Sequence, residues 1–67
     1  MLLANLMECI PATEKVSIQV ENQGKIYIGC CCDFRATRED YKDFYLRKVV
    51  MVFSYIDTIV IILEEEY

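Results

Sequence analysis

Cys30-Cys31-Cys32 is the densest run of reactive side chains in this 67-residue sequence, and Cys9 adds a fourth thiol. Four thiolates can form a tetrahedral zinc site. The spacing argues against that use here. Successive strand residues point to opposite faces, so Cys30 and Cys32 cannot meet Cys31 on one ion. A Cys-x-x-Cys pair is also missing. Nothing in the sequence indicates export, and thiols in a reducing compartment stay unpaired. Cys30 and Cys32 are therefore expected to serve as small buried hydrophobes, with Cys31 outward as an interfacial thiol. No metal site and no cofactor is expected. A thiol redox or metal-binding protein remains the second alternative.

The carboxylates offer no better catalyst. Acid/base chemistry needs a pair held at fixed separation in a concave, partly dry site. Glu64-Glu65-Glu66 reads as a solvated terminus that guards an edge strand, and Glu39, Asp40 and Asp43 as charges at a helix start. Histidine is absent, which removes the commonest general base and pH switch. Phosphate-binding glycine loops and the Gly-x-Ser-x-Gly elbow are missing too. The sequence reads as a non-enzyme with no catalytic residue to assign. Its five tyrosines are Tyr27, Tyr41, Tyr45, Tyr55 and Tyr67. Tyrosine on a sheet surface can stack bases, but it more often marks a protein interface. Tyr27, Cys31 and Tyr55 form the candidate interaction surface.

Two hairpins must position these residues. Val16, Ile18 and Val20 alternate with Ser17, Gln19 and Glu21, which predicts a half-buried strand. Gly24 supplies the turn, and a return strand starts at Lys25. Its alternation places Ile26, Ile28, Cys30, Cys32 and Phe34 on the apolar face and Lys25, Tyr27, Cys31 and Asp33 outward. Gly29 suggests a bulge or bend. The second hairpin runs from Val49 to Leu63 around Tyr55-Ile56-Asp57, and both its faces are apolar, which demands cover on both sides. Leu2, Leu3, Leu6, Met7 and Ile10 predict an opening helix that Pro11 ends. Thr37 reads as the N-cap of a short helix with Tyr41, Phe44 and Tyr45 along one edge. The expected fold is α+β: an N-terminal helix on a small antiparallel sheet, or an SH3/Sm-like barrel, in the order α-β-β-short α-β-β.

Length and composition set the bounds. Sixty-seven residues make one domain, residues 1–67, that buries only about 60% of its unfolded surface. An apolar fraction of 55% on so small a body favours self-association as the means of stabilisation. The net charge of −4 disfavours nucleic acid and anionic membranes as partners. Met1-Leu2-Leu3 has no preceding positive charge, so a signal peptide is not expected. Val49 to Leu63 is shorter than a spanning helix and contains Asp57. A cytoplasmic location is the expectation.

The order of these pieces resembles short prophage-type proteins of Gram-positive bacteria. Leu2-Leu3 to Pro11, Lys15-Val16-Ser17-Ile18, Lys25-Ile26-Tyr27-Ile28-Gly29 and Leu46 to Leu63 carry that likeness, which implies no activity. Gly24, Tyr27, Gly29 and Asp33-Phe34 are similar to the first motif of Sm-like small barrels. The Asn-bearing third strand and the Arg-Gly pair of that family are missing. Those are its RNA-binding elements, so the resemblance does not transfer RNA binding. The leading expectation is a small, homo-oligomeric, non-enzymatic interaction module with an unidentified protein partner. An Sm-like nucleic-acid-binding ring is the alternative.

Overall fold

Leu3, Leu6, Met7 and Ile10 share one stripe of a helix, and in the computed structural model that stripe lies against a sheet. The structure describes residues 1–65; Glu66 and Tyr67 lie outside the described residues. Helix α1 spans Leu3–Cys9, strand β1 Lys15–Val20 and strand β2 Gly24–Cys30. Helix α2 (Cys31–Ala36), a 3₁₀ turn (Arg38–Tyr41) and helix α3 (Lys42–Tyr45) precede β3 (Val49–Tyr55) and β4 (Thr58–Leu63). The expected α+β order of a helix, a hairpin, a short helical insert and a second hairpin is present.

The four strands form one sheet in the order β2-β1-β4-β3. Each hairpin is antiparallel within itself, and the two join through the parallel pair β1/β4, so the sheet is mixed. Val16, Ile18 and Val20 sit beside Ile59, Ile61 and Leu63 across that central pair. Leu3, Met7 and Ile10 of α1, Phe34 of α2 and Tyr45 of α3 complete the core beneath them. Phe34 is its aromatic hub, with ring centroids 4.9 Å from Tyr27, 4.8 Å from Tyr41 and 5.4 Å from Tyr45. Arg35 ties two helices together by donating to the carbonyls of Met7 and Ile10 at the end of α1.

Four local expectations are corrected. In β2 the register runs Val20↔Gly24, Gln19↔Lys25 and then Ile18↔Tyr27. Ile26 is thus an inserted bulge residue, and it reverses the parity of everything after it. Tyr27 consequently faces the helices, and Ile28 lies exposed on the other face. The second correction concerns Cys31 to Phe34, expected to continue the strand and found in helix α2. Thr37 does hold the N-cap position of the 3₁₀ turn, its carbonyl accepting from the Asp40 amide at 2.9 Å, but its Oγ1 donates back to the Asp33 and Phe34 carbonyls of α2 instead of capping the turn. Finally, Glu64 and Glu65 are half-buried rather than a solvated tail, and Glu65 accepts from Asn22 at 3.1 Å.

The edges are unequal. Leu2 bridges Lys48, and the Met1 carbonyl accepts from the Val49 amide at 2.8 Å, so among the described residues only the start of β3 has a neighbour on its outer side. Gly29 has φ +153°, and a Cβ there would approach Tyr27 Oη to 2.9 Å. The β3–β4 turn puts Ile56 and Asp57 at φ 43° and 58°. That is the backbone of a type I′ hairpin, for which Asn-Gly is the favoured pair. A β-branched residue in that conformation is strained. Ile56→Asn should therefore stabilise the chain by about 1 kcal/mol, seen as a melting temperature raised by about 4–8 °C. Phe34→Ala removes the hub and should cost about 3–5 kcal/mol. A chain of this size has roughly 3–10 kcal/mol in total, so near-ultraviolet circular dichroism should show lost tertiary structure at 25 °C.

Candidate functional site

Two regions carry chemistry that the fold does not consume: a thiol corner where β2 becomes α2, and the surface built from β3 and the uncovered sheet face. The corner exists because the Pro11–Glu14 linker stops the strand. Glu14 and Ala12 present their carbonyls to the amides of Cys31 and Cys32, at 2.8 and 3.0 Å. These bonds satisfy donors that a starting helix otherwise leaves open. Cys30 keeps extended geometry, with φ −69° and ψ 139°, while the next residue is already helical.

This transition reverses the expected roles of the cysteines. Cys31 is fully buried in the core, whereas Cys32 is exposed and Cys30 half-exposed. All four cysteines are free thiols. The Cys30 and Cys32 sulfurs are 2.9 Å apart. Cys30 Sγ is also 2.9 Å from the Ala12 carbonyl, which accepts from it when the thiol is protonated. In its ionised form Cys30 instead accepts from the Cys32 thiol, and this bond lowers the Cys30 pKa. The same bond, with desolvation behind it, pushes the Cys32 pKa up to about 11. Burial raises the pKa of the Cys31 thiol. Asp33 completes a trio whose donor atoms lie within 4.8 Å of one another. Two thiols and one carboxylate could offer a soft ion three ligands.

Tyr27 supports this corner from inside. Its hydroxyl donates to the Cys30 carbonyl at 2.7 Å, and burial raises its pKa. It is half-buried against Phe34. Of the expected surface, Tyr27 and Cys31 thus belong to the interior, and Tyr55 alone stands out in solvent.

The second region was only partly anticipated. Ile28, Ser17, Val60 and Phe53 form one row across all four strands on the side away from the helices. They line a shallow depression of about 440 Å³ with Lys15 and Tyr55. Ser17 is buried in that row, and its hydroxyl makes no hydrogen bond among the described residues. β3 itself reaches past the helix layer, and Val50, Met51, Val52, Phe53 and Tyr55 are all exposed. None of the helices described is long and apolar enough to cross a membrane. Comparison with protein-family models, curated proteins and solved structures finds no match.

The thiol corner makes a direct prediction. The thiolate is the nucleophile, so Cys30 should alkylate in the native protein with a pH midpoint below the ordinary thiol range. Cys32 should lag behind Cys30, and Cys31 should react only after unfolding. Peptide mapping after timed exposure to iodoacetamide at several pH values measures this order.

Proposed function

We propose that this chain is a non-enzymatic self-association module that pairs with a second copy through the outer edge of β3. The observation that carries the reading is β3 beyond Val49: a strand edge with exposed apolar side chains on both faces. Natural edge strands are usually blunted by Lys, Pro or a cover. Val49–Tyr55 contains no charged residue, Pro or Gly. A strand pairing antiparallel with its own copy is self-complementary and generates a closed dimer. The Met1 contact occupies the Val49 end, which centres the pairing on Phe53. Met51 of each copy then faces Tyr55 of the other on the open face, and Val52 faces Ser54.

The available area suits this arrangement. Val50, Met51, Val52, Phe53, Tyr55 and Ile56 are 42–76% exposed. At about 100 Å² each they present roughly 600 Å² per copy, about 1,200 Å² for the pair, the lower bound of a standard stable interface. The seam carries no charge, so the net −4 of each chain acts across it only at a distance where salt screens. An RNA-binding ring draws less support, since the chain carries a net charge of −4 and phosphate binding calls for Lys and Arg.

Light scattering behind a sizing column, in reducing buffer, should give twice the 7.9 kDa chain mass at both low and high salt. Phe53→Lys should reduce it to the monomer with helix and sheet content intact. Ile28→Lys, on the opposite side of the open face, should leave the dimer in place. A wild-type mass of one chain, or six or seven, rejects this reading.

A further inference from the structure

We infer that Cys30 and Cys32 form a reversible dithiol–disulfide pair that exchanges with small-molecule disulfides of the glutathione class. Geometry is the main support. Only Cys31 separates them, and its helical conformation sets their Cα atoms about 5.4 Å apart, within the 4.4–6.8 Å that a disulfide spans. The extended ψ at Cys30 and the turn into α2 bring both sulfurs to the same side, 2.9 Å from each other. Closing to the ~2.05 Å of a bond brings the sulfurs together by less than about 1 Å. The two sulfurs of a tetrahedral zinc site with ~2.3 Å bonds stand about 3.8 Å apart, so the observed spacing suits mutual bonding better than a shared ion.

The surroundings divide the labour between the thiols. Cys32 donates to ionised Cys30 and so favours it as the attacking sulfur. Cys32 keeps its own proton until Cys30 is no longer an anion. Both sulfurs lie at the surface, whereas Cys31 is sealed in the core and cannot compete. Cys9, the other exposed thiol, has no sulfur partner among the described residues.

Exchange proceeds in two balanced steps. The Cys30 thiolate attacks one sulfur of the external disulfide, a Cys30–S–S–R bond forms, and one thiolate leaves to take a proton. Cys32, giving up its proton to solvent, then attacks the Cys30 sulfur. The second external thiolate departs and is protonated in turn. Two protein thiols have been oxidised, and one disulfide has become two thiols. The step runs in reverse when the small thiol is in excess.

The test uses the full chain with Cys9→Ser, to remove the unrelated thiol, incubated with oxidised glutathione. Intact-mass measurement should find a product lighter by two hydrogens, with digestion mapping the bond to Cys30–Cys32. Adding Cys32→Ser should stop the reaction halfway and leave one stable glutathione on Cys30. Adding Cys30→Ser instead should leave at most one glutathione, on Cys32, and no internal bond. Persistent glutathione adducts on the Cys9→Ser chain without an internal bond would overturn the inference. Zinc bound at one ion per chain that blocks oxidation would overturn it as well. Circular dichroism on each variant confirms that exchange is being read from folded protein. None of these readouts depends on whether β3 pairs with a second copy.

Discussion

Two backbone hydrogen bonds decide where this chain changes from strand to helix. The amides of Cys31 and Cys32 bind carbonyls of Glu14 and Ala12, in the linker that follows α1. Without those acceptors, β2 would keep its alternation through Asp33. With them, the chain turns at Cys30 and throws Phe34 under the sheet, where it meets rings from three other segments. The same turn moves Cys31 inward and leaves Cys30 and Cys32 side by side in solvent. Core and thiol corner are therefore two results of one local event. Neither could be altered at the backbone without disturbing the other.

The second organising fact is a shortage of cover. Seven-residue α1 and the three short helical segments after β2 span the central strands β1 and β4, whose inward side chains are buried. They are too few to span β3 as well. Its inward-facing Val52 remains nearly half exposed, and among the described residues no helix covers the reverse face. A parallel central pair normally requires cover on both faces. Here the described residues supply one, and Ile28 and Phe53, on either side of buried Val60, are the apolar surface left over. The helical layer thus determines which strand can look for a partner.

Much of this architecture was legible from the sequence. Hydrophobic periodicity located α1, β1, β3 and β4 to within about two residues and the start of β2, though not its end, and the glycine turn at 24 and the two-sided apolarity of the last hairpin read correctly. Details that depend on distant contacts did not. A bulge at Ile26 is invisible to an alternation count, yet it reverses Tyr27 and Ile28. The helix from Cys31 depends on carbonyls 17 and 20 positions away, so a Cys-rich run next to a strand looked like more strand. Facing directions for Tyr27 and Cys31 failed for those two reasons, while Tyr55, close to a tight turn, kept its expected exposure. The parallel joining of the hairpins also lay beyond local reading, since Lys15 pairs with Thr58.

The bridge between Leu2 and Lys48 has a practical corollary for anyone handling this protein. That pairing is antiparallel, and the Met1 carbonyl already holds the Val49 amide. A peptide fused ahead of Met1 therefore leaves the body running along β3 toward Val50 and Met51. An affinity tag or fusion linker placed there is aligned to add itself as a fifth strand. It would occupy the edge from within the same molecule, at the high local concentration that tethering confers. The position of a tag is thus not neutral for this chain: at the amino end it acts as an intramolecular competitor for the very strand whose behaviour it was meant to report.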